Sequence, residues 1–193
     1  MNKSKNKTVA ILGGSFNPIH VGHLTLAQSA LDFGLADEVW LMVSPVNPLK
    51  NNDDADFNER YSLVKKAVAN RLGIVASDFE NSLPRPSYTY LTLRALKEKF
   101  PDTDFRWMVG ADNWNCFDKW ACPEEILKQG LIVYPRPGFT VENLPENVAF
   151  LDAPMIDVSS TMIREKINKG EKVTGLVPVE IEEEIYGKYR TQH

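Results

Sequence analysis

The sequence predicts an α/β fold: one doubly wound domain, with a mainly parallel sheet of five to six strands and helices on both faces. Three observations predict it. Short apolar runs alternate with longer amphipathic ones, the signature of strand–helix–strand units. A glycine-rich turn joins the first apolar run to the first amphipathic one. No repeat, low-complexity block or interdomain linker interrupts the 193 residues, a length sufficient for one sizeable core and short for two.

Val9–Leu12 reads as strand one and His23–Phe33 as the first helix, closed by Gly34. Val39–Val43 is strand two. Two prolines and an acidic, Asn-rich tail make the following stretch to Asp56 a loop at the strand's C-terminal end. Asn58–Arg71 is helical, with Tyr61, Val64, Ala67 and Val68 on one face, and Gly73–Ala76 is strand three. After Pro84-Arg85-Pro86, Ser87 is placed to cap a helix running to Phe100. Phe105–Val109 is strand four. Short helices follow over Asp112–Phe117 and Pro123–Gln129. Leu131–Tyr134 and Val148–Leu151 are strands five and six, the last edge-like, and Ser160–Asn168 and Pro178–Tyr189 are the closing helices. The basic start, residues 1–7, reads as a flexible tail and residues 8–193 as the folded domain.

Composition narrows the class of protein. With 43% hydrophobic and 25% charged residues the chain is globular. A net charge of −4 disfavours broad attraction to nucleic acid, yet permits a small anion held by a few local cations. The two cysteines, Cys116 and Cys122, have neither metal-ligand nor redox spacing, which fits a reduced cytoplasmic protein. No segment approaches a membrane span or a signal peptide.

The chemistry concentrates in Gly13-Gly14-Ser15-Phe16-Asn17-Pro18-Ile19-His20-Val21-Gly22-His23. Adjacent glycines let backbone approach a ligand, and a helix start favours an anion through its N–H groups and dipole. His20 and His23 share a face of the first turn, and Gly22 leaves room beside them. The expected result is a phosphate cradle with two imidazole donors. Histidines at this spacing also chelate metals, but no third ligand lies nearby in sequence. A second anion site is written in Ile156-Asp157-Val158-Ser159-Ser160-Thr161-Met162-Ile163-Arg164, where Ser159 or Ser160 caps a helix carrying hydroxyls and an arginine.

The first stretch resembles the HxGH nucleotidyltransferases, and is close to the G-G-T-F-D-P-x-H-x-G-H of bacterial nicotinate-nucleotide adenylyltransferases. Ser15 keeps the hydroxyl of the family's threonine, and Asn17 stands where the family has aspartate. Further resemblances follow in order along the chain: Pro86-Ser87-Tyr88-Thr89 to P-S-Y-T, Gly110-Ala111-Asp112 to G-x-D, and Val158–Arg164 to I-S-(S/A)-T-x-I-R. The resemblance implies a Rossmann-like nucleotidyltransferase domain that transfers the adenylyl group of ATP to nicotinate mononucleotide. It implies His20, His23 and Arg164 as catalytic residues. It places Gly13, Gly14, Ser15, Phe16, Gly110, Asp112, Ser159 and Thr161 with them around ATP. Asn17, Lys50, Tyr88, Thr89, Asp112 and Trp120 fall along the mononucleotide, with Trp120 stacked on the pyridine ring. By residue type alone, Tyr88 and Trp120 also fit packed aromatics, less well than ligand contacts, and Lys50 fits a solvated lysine equally well. Leu49 stands where the family has histidine. Mg²⁺ is expected to arrive with ATP, without protein side chains as ligands. A homo-oligomer is compatible with the sequence. Nicotinamide mononucleotide and phosphopantetheine transferases share the first motif, and a non-catalytic nucleotide sensor is the reading from another class.

Overall fold

Among the described residues six apolar runs become six strands, all parallel in one sheet. The computed structural model describes residues 6–45 and 56–190. It places β1 at Lys7–Gly14, β2 at Glu38–Val43, β3 at Ile74–Ser77, β4 at Thr103–Gly110, β5 at Leu131–Tyr134 and β6 at Val148–Phe150. Their order is β3-β2-β1-β4-β5-β6. The order reverses where β1 lies between β2 and β4, and such a crevice beyond the C-terminal strand ends is where open α/β sheets bind ligands.

Alternate residues of each strand feed the two faces. Ala10, Leu12, Val39 and Leu41 join one core cluster, and Val9, Ile11, Met42 and Trp107 join the other. The first cluster is covered by α1 (Val21–Asp32), α2 (Phe57–Val68), α6 (Ser160–Asn168) and α7 (Glu182–Tyr189), through Leu24, Leu63, Ile163 and Ile185 among others. The second is covered by α3 (Thr89–Lys99) and α5 (Pro123–Gln129), through Leu93, Leu96 and Ile126. Among the described residues no helix is long and apolar enough to cross a membrane.

Several boundaries differ from the pattern-based expectation. β1 opens at Lys7, whose ammonium pairs with Glu38 across the sheet, one residue before the expected domain start. It runs on through Gly13 and Gly14, which pair with Met42 and Val43. The turn therefore begins later than the glycines. A Cβ on Gly13 would lie 2.7 Å from the Trp107 ring, so the space over Gly13 is filled by the protein's own indole. α1 starts at Val21 with His20 as N-cap, which puts His23 at the third helical position. It ends in a Schellman turn: Gly34, at φ +66°, donates to Leu31, and Leu35 donates to Ala30.

Ser87 does not cap α3. Tyr88 is the N-cap, so Ser87 lies one residue outside the helix and its buried hydroxyl has no hydrogen-bond partner. The expected helix over Asp112–Phe117 is only one turn, α4 (Ala111–Trp114), because the Cys116 N–H bonds Asn113 three residues back and a 3₁₀ turn, Phe117–Lys119, follows. The last helix is split. After Pro178 a 3₁₀ turn, Val179–Ile181, precedes α7.

Candidate functional site

The turn after β1 delivers Ser15 to His20 to the switch point. Phe16 takes a left-handed φ of +48°, which turns its ring into the core, where it is 2% exposed. That ring meets His23 edge-on at 4.9 Å. Phe16 thus supports a histidine from beneath, and its side chain is not open to a ligand. The rings of His20 and His23 are stacked, with centroids 3.7 Å apart. The His20 backbone N–H donates to His23 Nδ1 at 3.3 Å. In the neutral ring this leaves the proton on Nε2, so His23 presents an N–H donor there. A Cβ on Gly22 would stand 3.1 Å from His20 Nδ1 and equally close to Val158, so the stack needs glycine at this position.

Both imidazoles are neutral at pH 7. Burial, with Arg136 adding to it, pushes His20 down to about 4. Burial first, then His20 and Arg136, holds His23 well below the ordinary range. Neutrality has a consequence for stability. The unfolded chain takes up a proton at His20 near 6.5, whereas the folded chain does not until about 4. Stability is therefore full above pH 6.5 and falls as pH drops towards 4, by up to about 3 kcal/mol from this ring. Urea midpoints measured from about pH 7 to 4.5 are expected to fall, and to fall less in His20→Gln. An equal slope in the variant would assign the loss to other groups.

α6 closes the site from the far end of the chain. Ser159 is its cap, accepting the Met162 N–H at 3.1 Å. Ser160 instead donates its hydroxyl to the Pro18 carbonyl at 2.8 Å. Arg164 Nη1 donates to the Asn17 carbonyl at 2.6 Å, and Nη2 donates to the Thr161 hydroxyl at 3.3 Å. The two anion motifs are thereby clasped together. His20, Gly22, His23, Val158, Ser159 and Arg136 line one cavity of about 160 Å³. Asn17 is buried, and its carboxamide oxygen accepts the Tyr189 hydroxyl, so that oxygen is committed within the protein.

At the end of β4, Gly110 allows a close approach. A Cβ there would sit 2.4 Å from Asp112 Oδ1 and 2.9 Å from Arg136 Nε. Asp112 pairs with Arg136 at 3.7 Å, while its Oδ1 is buried and receives no hydrogen bond. His20 Nδ1 is the other site atom in that condition. The cavity thus has an imidazole nitrogen that lacks a hydrogen bond, beside an exposed arginine whose own acidic partner, Asp112, also has an unbonded oxygen, and such groups are polar capacity in reserve for a ligand.

Tyr88, 44% exposed, and Thr89 open α3, with Tyr88 stacked on Tyr90. Trp120 is half-buried and tilted against Phe117 at 5.3 Å. The ring contacts of Tyr88 and Trp120 are thus with Tyr90 and Phe117 and not with the histidine pair. Lys50 lies outside the described residues. Pattern reading missed Arg136, Arg60 and Glu80. Arg136 carried a usable signal, since it follows β5 at the binding edge of the sheet. Arg60 did too, lying four residues before Val64 and seven before Ala67 on the core-facing stripe of α2. It is 1% exposed and donates to the carbonyls of Ser15 (2.6 Å), Ser44 (3.0 Å) and Pro45 (3.2 Å), holding the histidine-bearing turn from below.

The cytidylyltransferase-like family model matches residues 11–166, which places the chain among the nucleotidyltransferases. A Bacteroides fragilis protein named probable nicotinate-nucleotide adenylyltransferase is 47% identical over 174 residues, covering 88% of this chain and 86% of that protein. A Bacteroides thetaiotaomicron protein of the same name is 44% identical, covering 90% and 88%. The chain belongs to the cytidylyltransferase-like family, in its nicotinate-nucleotide adenylyltransferase branch. Plasmodium falciparum nicotinic acid mononucleotide adenylyltransferase, solved with NaAD, shares the fold at a TM-score of 0.78 and 21% identity, covering 95% of this chain and 97% of that one.

Proposed function

We propose that this protein transfers the adenylyl group of ATP to nicotinate mononucleotide, giving nicotinate adenine dinucleotide and pyrophosphate, as a cytoplasmic step of NAD biosynthesis. The observation that carries the reading is the stacked, neutral His20–His23 pair, clasped to the Ser159–Arg164 motif across one cavity.

The chemistry asks little covalent work of the protein. The 5′-phosphate of the mononucleotide is largely ionised at pH 7, with its second pKa about 6. It attacks the α-phosphorus of ATP, an oxygen–phosphorus bond forms there, and the bond to the β-phosphate's bridging oxygen breaks. Pyrophosphate leaves with the electron pair. No proton has to be removed from the nucleophile, so no general base is required. The need is for donors aimed at oxygens where charge builds, and His23 Nε2–H is one. The N-terminus of α6, with Thr161 and Arg164, receives the departing phosphates. Mg²⁺ enters as part of the substrate MgATP and neutralises phosphate charge. Among the described residues no group of three His, Cys, Asp or Glu side chains could hold a metal.

The deciding assay is pyrophosphate release with ATP and Mg²⁺, run in parallel with nicotinate and nicotinamide mononucleotides. A large preference for the acid is expected. Preference for the amide would overturn the substrate, and no release with either would overturn the reaction. Trp120→Ala should raise the mononucleotide KM by about tenfold, the size of one lost ring stack, with little change in the ATP KM. Equal losses for both would make Trp120 a packing residue.

A further inference from the structure

A buried arginine and a buried glutamate are joined through one serine at the end of β2. Arg60 bonds the Ser15 and Ser44 carbonyls. The Ser44 N–H donates to Gly14, and its hydroxyl donates to Glu80 Oε2 at 3.1 Å. Glu80 is 3% exposed, in the 3₁₀ turn Phe79–Ser82 after β3. Its other oxygen accepts the hydroxyl of fully buried Thr92 at 2.9 Å. The Thr92 N–H in turn donates to the Tyr88 carbonyl at 3.1 Å. The contacts therefore run without a break from Ser15 through Arg60, Ser44, Glu80 and Thr92 to Tyr88.

We infer that this buried strut sets the register between the triphosphate-facing turn at Ser15 and the mononucleotide-facing segment Pro86–Thr89, with Glu80 as its positioning residue. The inference rests on the proposed function for the placement of the second substrate along Tyr88 and Thr89. A fold-only role would be met more cheaply by apolar residues of similar volume, since burying a carboxylate costs free energy that its partners must offset. Burial does push the Glu80 carboxyl up, against the two hydroxyl bonds that pull it down. What an apolar residue lacks is two acceptor oxygens that receive one donor from the end of β2 and another from α3. In-line transfer needs both substrates placed to within about an ångström, and the strut connects the two elements that would hold them.

The test is the near-isosteric Thr92→Val, paired with Thr92→Ser and with Ser44→Ala in case the first is poorly folded. Thr92→Val and Ser44→Ala should each raise the mononucleotide KM by about tenfold, the usual size for losing a hydrogen bond to a charged group, with the ATP KM within about twofold. Thr92→Ser should restore the wild-type value. Amide exchange at Tyr88–Leu91 should accelerate in Thr92→Val and stay unchanged in α6. Equal rises in both KM values, no rescue by serine, or unchanged exchange at Tyr88–Leu91 would overturn the strut. Wild-type protein that releases no pyrophosphate would sink the proposed function instead. The exchange measurement, which needs no substrate, would still decide the strut.

Discussion

His23→Ala is expected to lower kcat by about 10²- to 10³-fold, the cost of removing one preorganised donor from a developing phosphoryl charge. The ring is fixed on three sides: Phe16 meets it edge-on, His20 stacks on it, and the His20 N–H occupies Nδ1. Each contact is made before substrate arrives, so none has to form in the transition state. Because the ring is neutral, its worth lies in the aim of Nε2–H and not in a resident charge. Two consequences separate this reading from a fold defect. The thermal midpoint should change little, since the ring is half-buried at the lip of the cavity. His23→Asn, which keeps a short N–H donor, should recover part of the loss. A variant with near-normal kcat would remove His23 from the reaction, and a loss confined to the ATP KM would reduce it to a binding contact.

The second large effect is on stability. Arg60→Leu should destabilise the fold by about 3 kcal/mol or more, because it leaves the Ser15, Ser44 and Pro45 carbonyls without their guanidinium donor inside the protein. Leucine fits the stripe of α2 on which Arg60 sits, so packing alone predicts a mild effect. The urea midpoint decides between the two. Arg60→Lys should lie between wild type and Arg60→Leu, since an ammonium cannot span three carbonyls as the planar fork does. A midpoint unchanged by Arg60→Leu would show that those carbonyls find other donors.

These two residues mark what the sequence could and could not disclose. The placement of His23 was legible because it is local: a strand, a turn and a helix start in one short stretch. The same holds for Ser159–Arg164, and for β5 and α6, whose ends fell where the apolar period and the flanking Gly and Pro placed them. The place of Arg60 on the core-facing stripe of α2 could be read, but what it holds was hidden, because its partners sit 15 to 45 residues away. Glu80 was hidden more deeply. Its stretch, Asp78–Ser82, has no periodicity, and its value comes only from Ser44 and Thr92 meeting it from other elements. The glycine pair signals a need for space without saying what fills it. At Gly13 the filler is Trp107, far along the chain and in no local pattern with the turn. Only the pairing of β1 with β4, in which Ile11 faces Trp107, brings the indole over the glycine.

The clasp between Ser160 and Pro18, and between Arg164 and Asn17, spans 142 and 147 residues of chain. A ribosome makes β1 and the histidine turn almost at once and α6 near the end. At about 5 to 20 residues per second, the turn waits on the order of ten seconds for its far partner. Through that interval the nascent chain holds a half-built cradle with no arginine across it. The candidate site is thus among the last features of the protein to form, complete only when the chain itself is nearly finished.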